Sequence, residues 1–457
     1  MSATSQTLET DSGRSSVHVD VFYSLVNLGS TTLWSVMSGW LLYFYLPPES
    51  EGPSLVPAAL YGATMLAVRA VNAIIAPPIG HLSDQTRSSW GRRLPLMFAS
   101  GLPMAVFFFL LWTPPVRDAS IWNLVYLAVV FLLYNVAYTF NQVPYMALLP
   151  ELARTDQHRV RISGWSSAFF LLGMILGGAA GPLIENAGYQ SAALVYAVAV
   201  LPLLYLPFLV LRERPERQSE AEERVTLRDA AATMLRNRAF LIMSATGILY
   251  WSVTTFVQSA IPFIVTEICE LSKGETLSFY IPGILASLAC YPLVTWLSHR
   301  LDKSTIFSGS LLASAVVLPG LLAIGEWIPL PLKTQGIIWI SLQAVAMAGV
   351  TMLPPAFGAE ITDYDAELTG QRREGTYYAT WGLLDQAING AASALLPLIL
   401  LLGRSQSDPH GPLGVRLIGP LSGVMMLASF LIFLKYPLRP GSAVTREHDG
   451  NVVGTNS

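Results

Sequence analysis

The sequence predicts an all-α polytopic membrane protein, with twelve transmembrane helices in two pseudo-symmetric six-helix bundles. Three observations carry this: composition, the apolar runs, and the placement of basic residues. The chain has 457 residues, of which 53% are hydrophobic and 12% charged, with a mean hydropathy of +0.49. A soluble domain carries about 25% charge. The hydrophobic share amounts to about 242 residues, and twelve spans of roughly 20 apolar residues need about 240. Disorder, collagen, coiled coil and a disulfide scaffold are excluded. A net charge of −3 gives no basic footprint for nucleic acid. The two cysteines, Cys269 and Cys290, are too few for a disulfide framework or a zinc site.

Runs long enough to cross a bilayer fall at 20–46, 55–82, 95–114, 121–149, 163–184 and 190–211, then at 239–266, 276–298, 305–325, 335–361, 375–402 and 413–435. The expected organisation is a tail (1–19), a first bundle (20–211), a linker (212–238), a second bundle (239–435) and a second tail (436–457). The N-terminal stretch holds Glu9, Asp11 and Asp20 and has neither the basic start nor the apolar core of a secretory signal. It reads as a solvated lead into the first span. The linker carries charges of both signs and a candidate surface helix over 226–236.

Orientation follows from Lys and Arg on alternate loops. Twenty-one lie on the side that contains both termini and the linker, five on the other, and Arg69 is left inside the second span. Both termini are therefore expected in the cytoplasm of a plasma (inner) membrane protein.

An internal repeat agrees with the six-plus-six division. GHLSDQTRSSWGRR after span 2 has its counterpart in WLSHRLDKS after span 8, and PYMALLPELARTDQHRVR at the end of span 4 in PPAFGAEITDYDAELTGQRREG. Asp84 and Asp302 stand 218 residues apart, and Pro144 and Pro354 stand 210 apart. In the first loop a glycine (Gly80) would let two helices approach, while Asp84, Gly91, Arg92 and Arg93 could form ion pairs that hold in one conformation and release in another. Glu151, Arg159, Asp363, Arg372 and Arg373 are candidates for the same cytoplasmic gate. Positive-inside anchoring would explain the arginines but not Gly80, Asp84 and Gly91.

This loop pattern resembles that of the major facilitator superfamily. The spacing from Asp84 to Trp90-Gly91-Arg92-Arg93-Leu94-Pro95 is similar to that of the glycoside–pentoside–hexuronide:cation symporters, typified by melibiose permease. So are the first helix ending LLYFY, YTFNQVPYMALLPELARTDQHR at 138–159, and DYDAELTGQRREG at 363–375 followed by YYATWGLLDQ. The resemblance covers most of 20–435 and implies a secondary transporter of sugars, glycosides or uronides with sodium or a proton. Animal relatives carry lysophospholipids.

Aligned on those motifs, the carboxylates that such symporters place on helices 1, 2 and 4 fall on Thr31, Asn72, Ala76 and Gln142, all uncharged. A lysine typical of helix 11 falls on Asp385. Hard cations want carboxylate or carbonyl oxygens, so proton coupling is expected rather than sodium coupling. Arg69 in span 2 and Asp385 in span 11 are the charges left in the bilayer, each costing several kcal/mol and each a functional-site candidate. They form a candidate coupling pair, because helices 2 and 11 face each other in this fold; a static ion pair is the alternative. Substrate candidates lie on polar–aromatic faces at helical spacing: Asn27, Thr31, Trp34 and Ser38; Asn135, Tyr138 and Gln142; Tyr378, Trp381, Asp385 and Asn389, with Asn72 on span 2. Hydroxyls of a sugar suit amides, and its C–H face suits an indole. Interhelical hydrogen bonding is the competing explanation for any single Ser, Thr or Asn.

No histidine lies deep in a span, and no HExxH, P-loop or GxSxG motif appears, so neither a histidine relay nor an enzyme is expected. No cofactor or metal is expected. The expected partners are a sugar or glycoside, a proton and the bilayer, with the chain acting as a monomer. The alternatives are an amphiphile such as a lysolipid as cargo, or a ligand sensor that does not transport.

Overall fold

The computed structural model describes residues 4–48, 51–152, 156–211, 237–325, 327–369, 374–400, 402 and 413–438. Among them there are helices and no strands. The candidate surface helix at 226–236 lies outside the described residues.

The chain forms two compact units. Unit 1 comprises Met1–Ser219 with Ser272–Leu277, and unit 2 comprises Glu220–Leu271 with Ser278–Ser457. In unit 1 the helices are α1 (Thr4–Tyr45), α2 (Ala58–Gln85), α3 (Leu94–Leu110), α4 (Ile121–Leu152), α5 (Asp156–Gly178) and α6 (Ala180–Tyr205). In unit 2 they are α7 (Arg238–Phe263), α8 (Leu277–Ser298), α9 (Lys303–Val317), α10 (Leu332–Met352), α11 (Pro354–Thr369), α12 (Glu374–Leu400) and α13 (Leu413–Phe433).

Several boundaries differ from the sequence expectation: α1 begins at Thr4, inside the expected tail, and α5 begins at Asp156 rather than 163. The tenth run, 335–361, is two helices because Pro354 and Pro355 lack the N–H groups a continuing ladder needs; both suit the first turn of α11. α10 and α11 together still make one apolar span, Leu332–Glu367. α6 is broken at Gly188, whose φ of 79° only glycine adopts readily. This break falls between the fifth and sixth expected runs.

Eight helical segments among the described residues are long and apolar enough to cross a membrane, with Leu94–Leu110 and Ile388–Leu400 as shorter apolar helices. Their outward faces are apolar stripes at helical spacing: Phe98, Leu102 and Val106 on α3, Val125, Val129 and Leu133 on α4, and Ile338, Leu342 and Val345 on α10. α1 is different. It turns Ser24, Ser30, Thr31, Thr32 and Ser35 into its own unit, so its polar side chains are spent on helix contacts.

Helix pairing repeats between the units. In unit 1, α1 packs on α5 and α6, and α3 on α4 and α6; in unit 2, α7 packs on α12 and α13, and α9 on α10 and α13. The α1–α5 contact depends on small residues. A Cβ on Gly173 would meet Thr31 Cβ at 3.0 Å, and one on Gly177 would collide with Ser35. Hydrocarbon chains are as apolar as leucine, so such close backbone approach replaces the hydrophobic effect as the source of attraction between helices.

Candidate functional site

Within unit 1, polar residues form a ladder down the α1–α5 seam. At its base Asp20 is fully buried, with Oδ1 2.7 Å from His158 Nε2 and Oδ2 accepting from Arg161 Nε at 2.5 Å. This corrects one sequence reading: Asp20 is not part of a solvated tail, and His158 and Arg161 of α5 hold it. A carboxylate can be buried here because two bases meet both of its oxygens. Above it Ser24 Oγ lies 3.1 Å from Ser166 Oγ, and Asn27 Nδ2 donates to the Ser166 carbonyl at 2.9 Å. Thr31 Oγ1 donates to Asn27 Oδ1 at 3.3 Å. Thr31 is therefore committed to the seam, while Trp34 and Ser38 on the same face are half-buried.

On α2 and α4 the candidate amides also have partners inside the unit. Thr139 Oγ1 donates to Asn72 Oδ1 at 3.1 Å, and Asn72 is 1% exposed. Gln142 Nε2 donates to Asn141 Oδ1 at 3.3 Å, and Asn135 Nδ2 to the Phe131 carbonyl at 2.7 Å. Tyr138 is half-buried and stacks on Tyr134, with centroids 6.2 Å apart. The Arg69 guanidinium carbon lies 6.0 Å from the Phe131 ring centre.

In unit 2, α7 and α12 bring together two of the candidates. Trp381 Nε1 donates to Ser244 Oγ at 3.1 Å, and its ring lies 5.6 Å from that of Phe240. Two helical turns on, Thr255 Oγ1 donates to Asn389 Oδ1 at 2.8 Å. Trp381 and Asn389 are both half-buried, so each retains an open edge. Ser244, Thr255 and Phe240 went unnoticed in the sequence; the i, i+4, i+15 spacing of Phe240, Ser244 and Thr255 on α7 was the available signal.

Of the gate candidates, Gly91 has φ 110° and ends the α2–α3 loop in a conformation that requires glycine. Gly80 does not meet the expectation of a close approach: a Cβ there would stand 3.7 Å from Val143, an ordinary contact. Arg92 and Arg93 are half-buried, and the buried Tyr23 hydroxyl on α1 donates to the Tyr145 carbonyl at 3.0 Å. Asp363 is exposed on α11. The side chains of Asp84, Glu151, Arg159, Tyr378 and Asp385, and the whole of Arg372 and Arg373, lie outside the described residues. Unit 2 has a charged cluster of its own, which the sequence reading did not assemble: Lys303 Nζ lies 3.0 Å from Glu360 Oε2, which also accepts from Tyr436 at 3.1 Å.

Two units of apolar helices with repeated pairing, polar ladders inside and apolar stripes outside, define a multi-pass integral membrane protein, and the family it matches is one of transporters, not enzymes. A family profile described as "MFS/sugar transport protein" matches residues 22–435, and the chain belongs to that family. Within it the resemblance to glycoside–pentoside–hexuronide symporters read from the loops holds. The chain is 25% identical to a glucuronide carrier protein homolog of Escherichia coli, over 92% of each chain. It is 25% identical to the isoprimeverose transporter of Lactiplantibacillus pentosus, over 82% of this chain and 78% of that one. The fold matches the crystal structure of a nucleoside transporter with a TM-score of 0.65 at 12% identity, covering 92% of this chain and 99% of that one.

Proposed function

We propose that the chain is a secondary symporter of a small carbohydrate or glycoside in the plasma membrane, with both termini cytoplasmic, working by alternating access and driven by protons. The observation that carries the sugar reading is the α7–α12 face. Trp381 offers a flat indole held by Ser244, with the Asn389–Thr255 amide and hydroxyl two turns away. A pyranose has an apolar C–H face for the ring and hydroxyls for the amide, and a pocket of this kind fixes orientation with few polar groups. The named substrates of the relatives, a glucuronide and isoprimeverose, are of the same chemistry.

Against sodium stand Asn72 and Gln142, neutral amides where melibiose-type symporters place carboxylates; Asn72 Oδ1 accepts from Thr139, and Gln142 Nε2 donates to Asn141. Asp385 is the proposed proton acceptor and Arg69 its proposed partner. Desolvation would favour the neutral acid when the arginine is distant, and the cation would favour the ionised acid when it is near, so movement between them would take up and release a proton.

Thermal-shift titration of the purified protein with glucosides, glucuronides, isoprimeverose-type disaccharides and lysophosphatidylcholine tests the cargo. Stabilisation by at least one glycoside, weakened about tenfold or more in midpoint by Trp381→Ala, is the expected result. Stabilisation by lysophosphatidylcholine alone would replace the sugar with an amphiphile.

A further inference from the structure

Six residues, Ser272–Leu277, running from the α7–α8 connection to the first residue of α8, are built into unit 1. The chain leaves α7 through a π-turn (Ile264–Ile268) and passes Glu270, a non-glycine residue at φ 55°. It then forms one 3-10 turn, Lys273–Thr276, against the start of α6, with Lys273 reaching Tyr43 at the end of α1. Lys273 Nζ lies 2.6 Å from Glu51 Oε2, and 5.8 and 5.3 Å from the ring centres of Tyr43 and Tyr189. The Gly274 N–H donates to Glu185. Thr276 is fully buried and seats against Gly181, where any Cβ would collide with it and with the Lys273 carbonyl. Trp40, Phe44 and Trp112 back Tyr189, the last stacked at 6.0 Å.

We propose that this turn is a detachable latch, a lysine plug seated in an aromatic and acidic socket made by Tyr43, Tyr189 and Glu51 of unit 1. Leu271 and Ser278, which flank it, belong covalently to unit 2. Any movement that draws those ends away from α1 and α6 must first withdraw Lys273 from between the tyrosines. Three features suit release rather than permanent docking. Lys273 and Glu51 are 23% and 25% exposed, so their pairing is solvent-screened and modest. The cation–tyrosine contacts add to it without covalent or deeply buried charge. A π-turn and a left-handed residue beside the plug give the backbone two irregular points at which to pivot.

The latch does not depend on the cargo, and its test needs none. In a Cys269→Ala/Cys290→Ser background, Thr276→Cys places a thiol under the seated turn. Its rate of modification by a maleimide is measured in nanodiscs, with gel filtration to confirm monodisperse protein. The latch predicts measurable labelling of Thr276→Cys alone, about tenfold faster labelling when Lys273→Ala or Glu51→Ala is added, and return to within about threefold of the starting rate in the swap Lys273→Glu/Glu51→Lys. A fixed strap predicts no labelling of Thr276→Cys over hours, and that result would overturn the proposal. So would rates indifferent to Lys273→Ala and Glu51→Ala, or a swap that stays as fast as the single variants.

Discussion

Unit 1 carries a charged cluster at each end, and the two are built on opposite principles. At one end Asp20 is fully buried and both its oxygens are engaged by α5, through His158 and Arg161. At the other Lys273 is partly exposed, its partner Glu51 equally so, and it stands on a segment contributed by the second half of the chain. The first joins two helices of one unit that pack closely, where Gly173 and Gly177 admit Thr31 and Ser35. The second joins elements far apart in sequence through a single turn. Burial makes the first expensive to break, and exposure makes the second cheap to open. A transporter needs both: rigid units, and contacts that let go.

Substitutions should separate the two ends by size of effect. Asp20→Asn leaves Arg161 and His158 without their shared anion and is expected to cost about 3 kcal/mol, the lower end for breaking a buried pair since Arg161 is 39% exposed. A large fall in the apparent melting temperature of the purified protein would show it. Lys273→Met, which keeps the stem and removes the charge, is expected to cost no more than about 1 kcal/mol in the same assay. Equal losses from the two would mean that both clusters are structural.

The loop glycines sharpen the comparison at smaller scale. Gly91→Ala forces an alanine to φ 110° and should destabilise by about 1 kcal/mol or slightly more. Gly80→Ala places its methyl 3.7 Å from Val143 and should lie within about 0.5 kcal/mol of the parent. Smallest of all is the effect of thiol reagents on Cys269, whose thiol burial pushes up to about 12, offset in part by Arg416. The thiolate is the reactive form, so at pH 8 alkylation of Cys269 should stay undetectable by mass spectrometry.

The fold was legible because membrane helices announce themselves by long apolar runs, and twelve such runs divided by one charged linker leave little choice of architecture. Local punctuation was harder to weigh. Pro354-Pro355 sat inside an apolar run and still split it into α10 and α11. The site was legible only in part. Trp381 and Asn389 stood out by helical spacing, and the structure gives each a partner on α7. Thr31, Asn72 and Gln142 stood on similar faces, and each has a hydrogen-bond partner within unit 1, in Asn27, Thr139 and Asn141 respectively. Helical spacing shows which residues share a face and says nothing of whether that face meets a neighbouring helix or open space. Asp20 with Arg161, and Glu51 with Lys273, escaped for another reason: their partners are 141 and 222 residues away in sequence, and no local pattern links them.

The most direct test of the proposed activity is uptake into proteoliposomes of a glycoside shown to bind, driven in turn by an inward proton gradient and by an inward sodium gradient. Proton coupling predicts accumulation above equilibrium under the proton gradient alone, lost in Asp385→Asn while exchange of labelled for unlabelled glycoside persists. Accumulation driven by sodium, with none from protons, would contradict it.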